Sequence, residues 1–180
     1  ALAYSVLLFF LPGLPVLYQG DELGLLSIEL KQEELADPVA TRNAIELDGR
    51  DGARTPIPWS GGSEFGFTTG VPWMAVGDRT YEDTIEYQQT TEDSWLMQYR
   101  KLLAIRKENL ELDTPLRWVT ARDSDVISFR RGKLISALNV GASEQTISLP
   151  QGMWNLVFHV GEVSSNDREV TFGENSAAVL

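Results

Sequence analysis

The sequence predicts an α+β protein, with helices and a long loop in residues 1–110 and an antiparallel β-domain in residues 111–180. The chain opens with an apolar run, and apolar residues recur at helical spacing over Glu92 to Asn109. After Thr114-Pro115, glycines recur every nine to twelve residues between short apolar runs. That spacing is typical of an antiparallel sandwich or barrel. We therefore expect two domains, 1–110 and 111–180.

The composition excludes several classes of partner and site. The chain has 180 residues, of which 43% are hydrophobic, so it can build a core. Its formal net charge of -11 argues against nucleic acid and anionic membranes as partners. It has no cysteine, so disulfides and thiolate zinc sites are impossible. We expect no cofactor and no metal, and a cytoplasmic location is compatible with the missing cysteines.

The opening residues predict a buried helix followed by a buried strand. Ala1 to Tyr18 is nearly all apolar, but Pro12-Gly13 and Pro15 interrupt it, which argues against a membrane span. We predict a helix over Ala1 to Leu11 and a strand over Val16 to Tyr18. Because the chain opens inside an apolar run, we expect it to be a piece of a longer protein.

Gln19 to Thr91 shows little periodicity and is rich in glycine, proline and isolated aromatic residues. A loop of this length is either functional or disordered. Disorder fits poorly, because aromatic side chains such as Trp59 and Phe67 need a packing surface. Within this loop, Leu26 to Leu35 predicts a short helix.

The longest predicted helix covers Glu92 to Asn109. Four residues form one stripe along it, and Thr91 or Asp93 is positioned to cap its start. The stripe consists of Trp95, Tyr99, Leu102 and Arg106. We expect every residue of this helix to serve packing.

The β-domain is predicted from five apolar runs separated by turn residues. Arg131-Gly132 is a candidate two-residue hairpin loop. We expect Trp118 and Trp154 to lie in the core. His159, the only histidine, is expected at a half-buried strand position and not as a ligand or base. The predicted strands are 126–129, 134–140, 145–149, 154–160 and 177–180.

Three motifs in a fixed order resemble the α-glucosidase and oligo-1,6-glucosidase branch of the α-amylase clan, glycoside hydrolase family 13. They are Gly13 to Gly24 (GLPVLYQGDELG), Gly49 to Trp59 (GRDGARTPIPW) with Gly66 to Trp73 (GFTTGVPW), and the helix from Tyr99 to Asn109. The resemblance covers residues 1–110 closely and the remainder only in type. It implies the last strand and helices of a (β/α)8 barrel, with a long loop between them, followed by the clan's C-terminal β-domain.

The resemblance also implies a parent enzyme that is a retaining α-glucosidase acting on terminal α-linked glucose. The clan's three catalytic carboxylates lie on the fourth, fifth and seventh strands, all of which would precede Ala1. We therefore expect no catalytic residue here and no activity from this chain alone. On a strand, Asp21 and Glu22 would point to opposite faces, so they could not flank one glycosidic bond unless the loop reorients them.

What remains is substrate recognition. By position, the resemblance makes Arg50 the arginine that pairs with an upstream aspartate and grips the terminal glucose. Asp51 is grouped with it as a binding residue that either orients Arg50 or caps a turn, and Arg54 is expected to hold the loop. Phe67 and Trp59, with Trp73, either stack on a sugar or pack the loop down.

Two other functions stay open, a carbohydrate-binding or structural β-module and a non-catalytic scaffold relative. Exposed, coplanar tryptophan or tyrosine side chains on the β-domain would favour the binding module. The expected partners are an α-glucosidic oligosaccharide, bound through the parent active site, and the rest of the barrel. We expect the segment before Thr114 either to be poorly ordered or to self-associate through its apolar surface.

Overall fold

Two antiparallel sheets dominate the computed structural model, which describes residues 2–38, 50–109 and 113–180. The larger sheet has five strands in the order β1-β2-β3-β8-β5, and the smaller has three in the order β4-β7-β6. The strands are β1 (Leu116–Trp118), β2 (Val126–Arg131), β3 (Leu134–Asn139), β4 (Gln145–Ser148), β5 (Phe158–Val160), β6 (Val163–Ser165), β7 (Glu169–Phe172) and β8 (Ala177–Val179).

Both sheets contribute to one apolar core. Val126, Ile135 and Ala178 come from the larger sheet, and Val170 and Phe172 come from the smaller. These five side chains are at most 1% exposed. Burial of this kind is the main favourable term in folding, at roughly 25 cal/mol per Å² of apolar surface.

The described residues include the helices α1 (Leu2–Phe10), α2 (Ile85–Gln88) and α3 (Trp95–Asn109). The stripe predicted for α3 is confirmed at Tyr99 and Leu102, which are buried. Neither predicted cap residue begins the helix. Instead, the hydroxyl of Ser94 accepts a hydrogen bond from the backbone N–H of Met97 at 3.3 Å.

Helix α1 packs on strands β3 and β8. The hydroxyl of Ser136 donates to the carbonyl of Val6 at 2.9 Å, and the hydroxyl of Ser5 donates to that of Tyr99 at 2.7 Å. The side chain of Arg131, 1% exposed, donates to the carbonyls of Phe10, Leu11 and Thr114. A guanidinium therefore satisfies carbonyls at the C-terminal end of α1, where helical partners run out.

The contacts divide the chain into two compact units. One comprises Ala1–Val16 with Tyr99–Leu180, and the other comprises Leu17–Gln98. We call the second unit the loop region. The predicted boundary at residues 110 and 111 falls at residues 110–112, outside those described, and stays a prediction.

Several predictions of local structure were wrong. Residues 14–18 form no strand, and Leu14 and Val16 are 81% and 79% exposed, because no described strand pairs with them. Leu26 to Leu35 contains only a 3₁₀ turn at Gln32–Glu34. The hairpin turns on Gly132 and Lys133, since Arg131 still pairs with Leu134.

The two tryptophans predicted in the β-domain core differ. Trp118 is 65% exposed on edge strand β1, so its core prediction was wrong. Trp154 is half-buried, packs against the core cluster and donates through Nε1 to the carbonyl of Pro150 at 2.8 Å. His159 is exposed on β5 and not half-buried.

Candidate functional site

The candidate site is a cluster of four charged side chains in the loop region: Asp37, Arg50, Asp51 and Arg54. The Nε atom of Arg50 lies 2.7 Å from Oδ2 of Asp37, and its Nη2 lies 3.2 Å from Oδ1. This fork-to-carboxylate contact has the bidentate geometry that only arginine provides. It fixes the orientation of the guanidinium plane.

The two partners of this ion pair differ sharply in exposure. The Asp37 side chain is fully buried, whereas the Arg50 side chain is 61% exposed. The hydrogen bond to Asp37 raises the pKa of Arg50 above its ordinary value, and the charge of Asp37 adds to that effect. Arg50 therefore remains a cation, and most of its side chain is exposed to solvent.

The Asp51 carboxylate is hydrogen-bonded to the backbone at Asp37. Its Oδ2 accepts the backbone N–H groups of Ala36 and Asp37 at 2.7 and 2.6 Å. It also begins the 3₁₀ turn Asp51–Ala53, and it is 2% exposed. Asp51 thus acts on Arg50 indirectly, by positioning the carboxylate that Arg50 grips.

Arg54 closes the cluster from the other side. Its Nη1 lies 3.4 Å from Oδ2 of Asp37 and 3.9 Å from Oδ1 of Asp51. The longer distances and the half-buried side chain indicate a supporting contact. That Arg54 holds the loop stays a prediction.

The 50–54 segment is wedged against the backbone of Ile28. The backbone N–H of Ile28 donates to the carbonyl of Gly52 at 3.2 Å. A Cβ atom at Gly52 would lie 2.3 Å from the carbonyl oxygen of Ile28, so no larger residue fits without movement. The glycine of the motif is therefore explained by close backbone approach.

A small cavity of about 110 Å³ lies in the same unit, lined in part by Tyr18, Asp21 and Arg79. Arg79 donates to the carbonyl of Leu26 at 2.9 Å, and burial lowers its pKa. Its Nε is buried and meets no acceptor among the described residues. Arg79 could not be singled out from the sequence, because it lies outside every motif.

The aromatic residues predicted near the site are all surface-accessible. Trp59, Phe67 and Trp73 are 52%, 39% and 64% exposed. The backbone of Trp59 is fixed, because its N–H donates to Phe65 and its carbonyl accepts from Glu86. Whether these rings stack on a sugar stays a prediction.

Asp21 and Glu22 bond to their own turn. Oδ2 of Asp21 accepts from the N–H of Tyr18 at 3.0 Å, and Oε2 of Glu22 accepts from that of Gly20 at 2.9 Å. In the described parts of the chain, no group of three or more acidic or histidine side chains is placed to hold a metal ion. No helix described is long and apolar enough to cross a membrane.

Asp37 is the site residue that the sequence did not reveal. It lies 13 positions before Arg50, and part of the intervening chain, residues 39–49, is outside the described residues. The only signal was an acid followed by Pro38 in an acidic stretch. The upstream aspartate expected to pair with Arg50 would lie outside this chain, and that pairing stays a prediction.

Comparison with known proteins gives consistent matches. Residues 1–114 match the family model described as alpha amylase, catalytic domain. The chain is 28% identical to the oligo-1,6-glucosidase of Heyndrickxia coagulans, over 99% of this chain and 36% of that protein. It is 33% identical to a probable alpha-glucosidase of Rhizobium meliloti, over 80% of this chain and 27% of that protein.

A solved structure extends this likeness to three dimensions. The alpha-glucosyl transfer enzyme XgtA is 31% identical and superimposes with a TM-score of 0.82, covering 99% of this chain and 35% of that one. The chain thus spans about a third of the length of these relatives.

Proposed function

The chain belongs to the α-amylase family of glycoside hydrolases, and from this we propose that it is the C-terminal segment of a retaining α-glucosidase. The substrate would be the terminal α-linked glucose of short oligosaccharides. Residues 1–110 would complete the (β/α)8 barrel, and residues 111–180 would form the β-domain behind it. The relatives named oligo-1,6-glucosidase and probable alpha-glucosidase support this choice.

The observation that carries the proposal is the orientation of Arg50. Its inner N–H groups are committed to a fully buried carboxylate, while the side chain is 61% exposed. Sugar hydroxyl oxygens accept hydrogen bonds from a guanidinium without needing a charge of their own. We assign Arg50 to the glucose-binding wall and Asp51 to positioning its partner Asp37.

Catalysis would come from residues outside this chain. A retaining glycosidase requires two carboxyl groups about 5–5.5 Å apart, one as nucleophile and one as acid/base. Asp21 and Glu22 instead bond to the backbone of their own turn. We propose that this segment alone does not turn over an aryl α-glucoside, whereas the complete enzyme does.

The test is kinetic, in the complete enzyme, with maltose and isomaltose as substrates. Arg50→Ala should lower kcat/KM by about one to two orders of magnitude, because it removes a charge-assisted contact from the site. Arg50→Lys should restore only part of the lost kcat/KM, because an ammonium group cannot reproduce the planar fork of a guanidinium.

Two controls separate binding from folding. Arg54→Ala should lower Tm, with activity following the folded fraction. Arg168→Ala, an exposed arginine of the β-domain, should leave both quantities unchanged. Kinetics near wild type for Arg50→Ala would remove Arg50 from the site and end the proposal in this form.

A further inference from the structure

The β-domain carries a groove of about 630 Å³ that the proposed function does not use. Its lining includes Trp118, Thr120, Arg122, Ser124 and Ile127. The volume falls in the range of about 300–1,000 Å³ typical of small-molecule sites. All of these residues belong to one compact unit, far in sequence from Arg50.

Trp118 forms a rigid, exposed wall of this groove. It is 65% exposed, yet it pairs across the sheet with Phe129, which is 1% exposed. The two rings meet edge to face, with centroids 6.0 Å apart and an interplanar angle of 88°. A buried ring thus fixes an exposed indole, which lowers the entropy cost of using it as a binding surface.

Two hydroxyl groups that line the groove are held in place by hydrogen bonds from backbone N–H groups. Oγ1 of Thr120 accepts from the backbone N–H of Ser128 at 3.0 Å, and Oγ of Ser124 accepts from that of Val126 at 3.1 Å. Each hydroxyl is used here as an acceptor, so its own hydrogen remains available for a ligand oxygen. The groove therefore offers fixed polar groups beside an apolar wall.

The net charge of the chain argues against an anionic ligand in this groove. Arg122 is exposed and lines the groove, whereas Asp123 and Asp125, which follow it in sequence, are exposed outside the lining. The net charge of the chain, -11, nevertheless disfavours a phosphate or a nucleic acid as the ligand. A neutral molecule with an apolar face and many hydroxyls meets no such penalty.

We propose that this groove is a second binding site for a short neutral oligosaccharide, separate from the glucose site of Arg50. One face of a sugar ring would pack on the indole of Trp118. The hydroxyls would bond to the Arg122 guanidinium and to Thr120 and Ser124. With a single exposed indole as its anchor, the site should bind weakly, with Kd about 1 mM or higher.

The experiment is an NMR titration of the ¹⁵N-labelled chain with maltotriose. We expect saturable shifts at the amides of residues 118–127. Trp118→Ala should weaken this binding about tenfold or more, as removal of a central aromatic anchor does. Arg122→Ala, at an exposed position where misfolding is not expected, should weaken it less. Met153→Ala, a control at a 95% exposed site outside the groove, should leave it unchanged.

Three results would overturn the proposal. One is the absence of saturable shifts at residues 118–127. Another is unchanged affinity in both Trp118→Ala and Arg122→Ala. The third is concentration-dependent self-association that Trp118→Ala abolishes, which would identify the groove as an interface between copies. The glucose site is tested by the kinetics of Arg50→Ala in the complete enzyme, so the two proposals fail separately.

Discussion

The β-domain and the loop region keep their shapes by different means. In the β-domain, backbone ladders and a core shared by two sheets hold the chain. In the loop region, individual side chains bond to the backbone of distant segments. Gln88, for example, donates to the carbonyl of Leu23 at 2.9 Å and accepts from the N–H of Leu96 at 3.0 Å. A sheet spreads its stability over many residues, whereas an irregular region concentrates it in a few.

A side chain of the β-domain that departs from this pattern provides the strongest test. Arg131 lies in the β-domain but acts like a loop-region brace, with its guanidinium bonded to three carbonyls. Burial lowers its pKa, and the nearby charge of Arg106 lowers it further. Arg131→Ala should reduce the free energy of unfolding by about 3 kcal/mol or more, because buried acceptors lose a charged donor and a cavity opens.

Urea denaturation followed by circular dichroism would measure this change. Lys133→Ala, an exposed neighbour in the same hairpin, should stay within about 0.5 kcal/mol of wild type. If Arg131→Ala changed the free energy of unfolding as little as Lys133→Ala, then the stability of the β-domain would come from its backbone hydrogen bonds and its apolar core alone.

The second test uses a matched pair of glycines in the loop region. At Gly52 a new Cβ would lie 2.3 Å from the carbonyl oxygen of Ile28, whereas at Gly70 the nearest atom is Oγ1 of Thr68 at 3.9 Å. Gly52→Ala should cost about 1–3 kcal/mol through overpacking, and Gly70→Ala should be nearly neutral. Limited proteolysis should show faster cutting near residue 52 only in the first variant. Equal rates of cutting in both variants would show that the 50–54 segment can move enough to accommodate the added Cβ atom.

The smallest expected effect comes from Asp51→Asn. The substitution keeps the shape but replaces a charged acceptor for two backbone N–H groups with a neutral one. We expect a loss of about 1–2 kcal/mol, confined to the loop region. Hydrogen exchange should accelerate at Ala36 and Asp37 and stay constant in β2 and β3. Acceleration in those strands too would mean that the two units unfold together.

The sequence predicted regular elements well where one pattern decides them. Helix α3 and strands β2, β3, β4, β5 and β8 each lie within or beside a predicted segment. The failures share a cause. Apolar residues at 14–18 predict burial, but a strand also needs a partner, and a local pattern does not say whether one is present. The core prediction for Trp118 was wrong for a similar reason. The residue type predicts a core position, but the place of Trp118 on an edge strand decides its exposure.

The candidate site was predictable only in part. Arg50 and Asp51 could be predicted because they lie in a motif that resembles a motif of the α-glucosidases, and this resemblance implies a binding role for them. Asp37 does not, since an ion pair across 13 residues of irregular chain follows no periodicity. Arg79 is similar, because its burial follows from how the loop region folds back on itself.

The contact between helix α1 and strand β3 has a consequence for synthesis on the ribosome. The hydrogen bond from Ser136 to Val6 spans 130 residues, and that from Arg131 to Phe10 spans 121. At about 5–20 residues per second, the helix emerges many seconds before its packing surface exists. During that interval Phe9 and Phe10, both at most 1% exposed in the folded chain, have no sheet to cover them. We therefore expect nascent chains that end before β3 to bind chaperones that recognise apolar segments, and to be released once β3 and β8 have formed.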